Sequence, residues 1–346
     1  MHESPVQNTM GRRRLLALGA MSVALSACGG TGGGGGGGQK LKASTYITPS
    51  YDDLFPGMKL LLKNAKKETH GDISFEMFHS GTLLDAEQAV PGLLQGSADL
   101  IFQTSSYISS TYPILGVAQL PFLQGDIQQM ERALAVDGKL YKLINKQLGA
   151  KNLRLLASMP TSLEWLWTRK PIRSPEDMHG MRIRTAGEVE GETVKALGAS
   201  PVSMSSAEIY QALQRGTIDG MISYLGTVIS RDLQKVLRYG TAARFGDYSV
   251  DAYVRKDWFD GLDSSLQDAL LAAGRAYNKQ GTATQVKVHK QDYLPKVKKA
   301  GIKLIEPKGA DLQAFEDAVS GVQDWWRKQV GDQKTAERAL KAVETA

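Results

Sequence analysis

Between Ser174 and Gly220 the chain reads SPEDMHGMRIRTAGEVEGETVKALGASPVSMSSAEIYQALQRGTIDG. The punctuation of this stretch leaves little freedom of local structure. Ser174 is a helix N-cap, Pro175 takes the first helical position, and Glu176 and Asp177 put negative charge in the first turn. Gly180 ends that turn. Met181 to Thr185 alternates, so Arg182 and Arg184 share one face of a strand and Met181, Ile183 and Thr185 the other. A helix then runs through Lys195 and stops at Gly198. Pro201 and Val202 begin a short extended piece. Ser205 to Glu208 forms a capping box that opens a helix with Ile209 and Leu213 on one face. Gly216 closes it, and Thr217 to Ser223 reads as a further strand. Strand, helix, strand, helix, strand is the signature of an α/β domain with a largely parallel sheet.

The same residues carry a resemblance. Asp177 to Arg184 fits D-x-x-G-x-(K/R)-(I/L)-R, Leu197 to Met204 fits L-G-A-x-P-(V/T)-x-M, and Ala207 to Gly220 fits (A/S)-E-(V/I)-Y-x-A-L-Q-x-G-x-(V/I)-D-G. In this order and spacing they resemble the DctP family, the substrate-binding proteins of TRAP transporters. Two further blocks agree. Gly81-Thr82-Leu83-Leu84 resembles the family's G-x-L-G turn without its second glycine, and Leu120-Pro121-Phe122-Leu123 matches L-P-F-(L/V). The resemblance runs from about Leu41 to the last long helix. It implies a two-domain, periplasmic-binding-protein-like α/β fold with discontinuous chain paths and a ligand cleft between the domains.

The chain has 346 residues, enough for two domains with their own cores. Its net charge is +6, of which residues 1–27 carry +2 through Arg12, Arg13 and Arg14 against Glu3. The lysines of the remainder are scattered and no basic stripe is interleaved with aromatics, so nucleic acid is not an expected partner. The N-terminus reads as an export signal, residues 1–27. The arginines form its positive region and Leu15 to Leu25 its short apolar run. The arginines also resemble a twin-arginine signal, and Met10 is an alternative start. Leu25-Ser26-Ala27-Cys28 resembles a bacterial lipobox, with the chain's only cysteine at the modified position. The other reading is an ordinary signal peptide beside an incidental cysteine. Residues 28–39 then form a lipidated Cys28 and a glycine-rich tether. The tether contains G-x-G-x-x-G, but no strand precedes it and no helix follows, so it is not a dinucleotide site.

After the tether, Leu41 to Ile47, Ile73 to Phe78 and Asp99 to Gln103 read as strands, with helices over Tyr51 to Glu68 and Asp85 to Gln95. Ser158 to Ile172 crosses to the second half, and Arg244 to Arg255 returns extended. Helices follow over Leu262 to Gln280, Gln291 to Lys299 and Ala310 to Gln329, with a late strand at Ile302 to Ile305. The expected division is residues 40–162 plus 246–285 in one domain and 163–245 plus 286–346 in the other.

No catalytic constellation is legible. There is no G-x-S-x-G elbow or P-loop, and His2, His70, His79, His179 and His289 have no metal-ligand spacing. No cofactor or metal is expected. Arg184 falls where the resembled family holds a substrate carboxylate bidentately, for which the planar guanidinium fork is suited. Its alternative is a surface ion pair. Arg182 is expected to be solvated or paired. Thr104, Ser105 and Ser223 fall at polar contact positions of the family, and Tyr224 replaces part of its D-G-Q-E-N cluster as a pocket wall. Glu164 stands near where some members carry a second arginine, so a second carboxylate on the ligand would be repelled. Trp165 and Trp167 alternate away from Glu164, either as a ligand wall or as core. The resemblance therefore implies a receptor that captures a small organic acid, a monocarboxylate in particular, and passes it to TRAP permease subunits from a lipid anchor in the periplasm. The alternatives are an exported enzyme acting on a small organic acid in the same cleft, and a sensory ectodomain, which the lack of a following transmembrane segment disfavours.

Overall fold

The computed structural model describes residues 39–346. The export signal, Cys28 and the glycine tether lie outside the described residues.

Two sheets organise the chain. The first holds β1 (Gln39–Thr45), β2 (Ile73–Phe78), β3 (Leu100–Thr104), β4 (Leu153–Pro160) and β10 (Ser249–Arg255), in the order β2-β1-β3-β10-β4. β1 runs parallel to β2 and β3, as β-α-β connections require, and β10 enters antiparallel between β3 and β4. Every residue of β3 is buried, so its apolar run lacks the alternation of a one-sided strand. The second sheet holds β5 (Trp165–Thr168), β6 (Arg182–Thr185), β7 (Ser200–Ser203), β8 (Gly220–Ser223), β9 (Tyr239–Thr241) and β11 (Lys303–Ile305), ordered β11-β9-β5-β8-β6-β7. The β6, β7 and β8 set is parallel, and β5 is antiparallel to β8 and β9. Each sheet, with the helices on it, makes one lobe.

The expected turn chemistry is present. Ser174 and Asp177 cap a single 3-10 turn, Pro175–Met178, reciprocally. The Glu208 carboxylate accepts from the Ser205 N–H at 3.0 Å before the helix Ile209–Arg215, and Gly216 ends that helix in the left-handed region.

The chain crosses between lobes at residues 161–164 and again at 242–248, and the two crossings pair. Thr161 N–H donates to the Tyr248 carbonyl at 2.7 Å and Glu164 N–H to the Gly246 carbonyl at 2.8 Å. Gly246 has φ +99°, and a Cβ there would lie 2.4 Å from the Gln119 carbonyl oxygen. Only glycine fits that crossing.

A third connection is a helix. The sequence suggests two helices separated after Gln280, but residues 264–299 form one, with π turns at Tyr277–Gly281 and His289–Tyr293. Gly281, just past the expected end, serves close packing, since a Cβ would meet Met159 Sδ at 2.4 Å. The helix starts against β4 and the helix Phe55–Glu68 and ends with Tyr293 and Val297 in the second core. The C-terminal helices also depart from the expected division. Gln333–Glu344 packs on Ile127–Ala133 and Lys139–Gly149 of the first lobe, where Gln129 Nε2 donates to the Val343 carbonyl at 2.9 Å.

Candidate functional site

β6 puts its two arginines in different surroundings. Arg182, half-exposed, pairs with Asp219 at 3.1 Å. Arg184 is only 2% exposed. Its Nε donates to the Met204 carbonyl at 3.0 Å and Nη1 to the Ile222 carbonyl at 3.4 Å, so the second lobe fixes the fork. Nη2 donates to the Tyr107 hydroxyl of the first lobe at 3.1 Å. Among the described residues no carboxylate forms an ion pair with it. A buried cation without an acid partner is costly and calls for an anion.

Arg184 faces a cavity between the lobes. The first lobe contributes Tyr46, Tyr51, Thr104, Tyr107 and Tyr248, and the second Arg184, Ser206, Ser223 and Thr227, with Ile47, Leu54 and Ala186 as apolar lining. The cavity gives the centre of a water-sized sphere about 10 Å³, room for roughly one water. Entry of a small acid therefore requires the lobes to part at the crossings. Beside the cavity, polar contacts cross between the lobes. Tyr107 OH accepts from Ser206 N–H at 2.7 Å as well as from Arg184, Arg231 Nε donates to Tyr51 OH at 3.2 Å, and Ser50 Oγ donates to the Ser230 carbonyl at 3.1 Å.

Burial works against the charge of the two acids that act on Arg184. Desolvation, with repulsion from Glu190 and Asp247, holds the Glu164 carboxyl well above its ordinary range against the opposing pull of Arg184. Burial likewise raises Glu190, again against Arg184. For Arg184 itself, burial works against the charge, and the phenols of Tyr107 and Tyr248 with Glu190 and Glu164 more than offset it, so it stays cationic.

The residues expected from sequence are divided by the fold. Arg184, Thr104 and Ser223 line the cavity together. Ser105 is buried one residue away, its Oγ accepting the Ser249 N–H at 3.1 Å. Tyr224 is fully buried behind Tyr248, edge-on at 5.6 Å between centroids, and is not part of the lining. Glu164 does not line the cavity either. It is fully buried, and neither carboxylate oxygen has a hydrogen-bond partner. Trp165 and Trp167 do share a face, stacked at 5.3 Å, but that face packs into the second lobe's core, with Trp167 Nε1 donating to the Ser223 carbonyl at 2.8 Å. Sequence reasoning missed the tyrosines, Ser206, Thr227 and Arg231, because they come from five separate segments. Their one local signal is the hydroxyl-rich run Thr104-Ser105-Ser106-Tyr107 directly after β3.

The family model for bacterial extracellular solute-binding protein family 7, DctP, matches residues 45–329. The chain belongs to this family. The match spans both lobes and every residue lining the cavity, and it makes this chain an extracytoplasmic solute-binding receptor of the TRAP type, not an enzyme. Relatives extend over comparable lengths. The chain is 27% identical over 269 residues to the 2,3-diketo-L-gulonate-binding periplasmic protein YiaO of Escherichia coli K12, covering 77% of this chain and 80% of the relative. It is 25% identical over 287 residues to the C4-dicarboxylate-binding periplasmic protein DctP of Rhodobacter capsulatus, covering 81% and 83%. A TRAP periplasmic solute-binding protein of Roseobacter denitrificans, crystallised with bound beta-D-glucuronate, superposes with a TM-score of 0.80 at 22% identity, over 89% of this chain and all of that one. That likeness establishes the two-lobed fold.

Proposed function

We propose that this receptor captures a small organic acid by its carboxylate on Arg184, closes its lobes around it, and delivers it to the membrane permease of a TRAP transporter. The observation that carries the reading is Arg184 itself. It is a buried guanidinium with no carboxylate partner, held by two backbone carbonyls on the wall of an interlobe cavity. Two uses of such a residue compete, structural cation and anion receptor. A structural cation is normally paired with an acid, and among the described residues Arg184 forms no such ion pair. The proteins similar to this chain are named for 2,3-diketo-L-gulonate and C4-dicarboxylates, and one was crystallised with glucuronate. All three are carboxylates.

The lipobox-like Leu25 to Cys28 and the glycine tether support delivery from a lipid anchor on the periplasmic side, with the tether giving the receptor reach. Glu164 does not line the cavity, and burial holds its carboxyl well above the ordinary range, so it puts no charge on the lining against a second carboxylate. The expected restriction to monocarboxylates therefore loses its support. Native mass spectrometry of the freshly purified protein tests the reading. A released carboxylic acid is expected, together with its absence from Arg184→Met. A wild-type protein that neither carries an acid nor is stabilised by any acid in a broad screen would end the reading.

A further inference from the structure

The lining narrows what the acid must carry, given that the receptor reading holds. Apart from Arg184, the polar side chains of the cavity all end in hydroxyls. A hydroxyl can accept or donate, and so does not by itself choose a ligand group. Here its neighbours have chosen. The Tyr107 oxygen accepts from Arg184 Nη2 at 3.1 Å and from Ser206 N–H at 2.7 Å. The Ser206 Oγ accepts from Arg231 Nη2 at 3.2 Å, and the Tyr51 oxygen accepts from Arg231 Nε at 3.2 Å. A guanidinium and a backbone N–H can only donate. The Tyr51 hydroxyl in turn gives its proton to Ser206 Oγ at 3.5 Å. Tyr107 and Ser206 therefore spend accepting capacity on the protein and keep their own protons to give.

Arg231 is the device behind Ser206, both directly and through Tyr51. It ends the helix Leu225–Ser230, lies over the Tyr51 ring at 5.4 Å, and has no ion pair among the described residues. It does not line the cavity. It sets the polarity of residues that do. No carboxylate lines the cavity, so an ammonium group entering it would lose water without gaining an anionic partner. An alkyl tail would leave the two donors facing carbon.

We propose that the receptor takes oxygenated acids: the carboxylate sits on Arg184, and at least one further acceptor oxygen, of a hydroxyl, keto or second carboxylate group, takes the protons of Tyr107 and Ser206. It rejects the amino acid and the unsubstituted acid of the same skeleton. Arg231 is the positioning residue for this selection.

Matched probes test this by calorimetry on protein freed of bound metabolite by unfolding and refolding. One series is 2-oxoglutarate, 2-hydroxyglutarate and L-glutamate, another lactate, L-alanine and propionate, and a third D-glucuronate and hexanoate. Within the series that binds, the oxygenated member is expected to bind about a hundredfold or more tighter than its partners, as for sites built to hydrogen-bond a substrate oxygen. Arg231→Leu should shrink that ratio about tenfold or more, Arg231→Lys should restore part of it, and Ser206→Ala should weaken the oxygenated member alone. An amino or unsubstituted acid bound as tightly as its oxygenated partner overturns the selection. If that binding still vanishes in Arg184→Met, the receptor reading survives. A ratio unmoved in Arg231→Leu removes the role of Arg231. A protein that carries no acid and binds none of the probes overturns the receptor reading and this inference together.

Discussion

Arg184→Met separates the anchor's role in binding from its role in folding. In the folded chain Arg184 donates to the Met204 and Ile222 carbonyls and to the Tyr107 hydroxyl, and has no ion pair among the described residues. Methionine fills much of the same volume and removes the buried charge. Two carbonyls and a phenol lose a partner, at roughly 1–3 kcal/mol for each one left dry. Against this stands release from the effective penalty of burying an ion, which is several kcal/mol. The terms oppose each other at similar size, so the variant should fold, with a melting temperature within about 10 °C of wild type. Binding has no such offset. Truncating one partner of a buried, hydrogen-bonded charge pair costs about 2–5 kcal/mol, which at about 1.4 kcal/mol per decade is roughly 30-fold to several thousandfold in affinity. Arg184→Lys should recover only part of this, because a point charge cannot span two carboxylate oxygens and still hold both carbonyls. The assay is calorimetry with the co-purified acid, alongside thermal melts of all three proteins. Affinity within threefold of wild type in a folded Arg184→Met protein would refute the anchor. Loss of binding that merely tracks loss of the fold would leave the magnitude argument wrong.

Three further outcomes are expected. Cys28→Ser should shift the protein from the membrane fraction to the soluble or unprocessed one, since stable anchoring depends on acyl chains, and membrane retention with normal processing would remove the lipoprotein reading. Glu164→Gln should leave affinity and ligand preference within about threefold of wild type, because the carboxyl is buried outside the lining and burial opposes its charge, and a changed preference for dicarboxylates would show that its charge reaches the ligand. Burial pushes Asp53 up from 3.8 to about 7 in spite of its hydrogen bonds. The folded state thus binds that proton more tightly than the unfolded chain does, so this stability is complete below about pH 4 and is lost as pH rises toward 7. At about 1.4 kcal/mol per unit, the loss is about 4 kcal/mol at most. Asp53→Asn should flatten the fall in melting temperature between pH 4 and 7, and an unchanged slope would place the titration elsewhere.

What was legible in the sequence is what depends on neighbours in the chain. Ser174, Gly180, Gly198 and Gly216 mark ends because capping and left-handed backbone are decided within a few residues, and the strands around Arg184 followed. Long-range decisions were not visible. The helices expected over Leu262 to Gln280 and Gln291 to Lys299 are one, and Gly281 packs against Met159 across the fold where they join. The alternation in Leu163 to Thr168 correctly put Trp165 and Trp167 on one face. It carried no information on whether that face meets ligand or core, because the answer lies in β8 and β9 beside it. Among the expected site residues, Arg184 was found through a motif that includes its own strand. Tyr46, Tyr51, Tyr107 and Tyr248 belong to no shared local pattern, and meet Arg184 and Ser206 only when both lobes are in place.

That convergence makes selection and closure parts of one event. Tyr107 sits on the first lobe and accepts from Arg184 and Ser206 on the second, so its oxygen is satisfied only when the lobes meet. When they part, water takes over both donors and the exchange is nearly neutral, as for most hydrogen bonds formed from solvated groups. The clasp alone therefore stabilises the closed form only modestly. An acid that also takes the protons of Tyr107 and Ser206 binds groups contributed by both lobes at once, and its binding energy then falls on the closed form. A ligand shifts an equilibrium only by its differential affinity for the two states. A carboxylate held by Arg184 alone touches one lobe and has little power to close the other over it. An acid with a second acceptor oxygen reaches both. The oxygens that decide which acid is held are thus also the ones that favour the closed receptor.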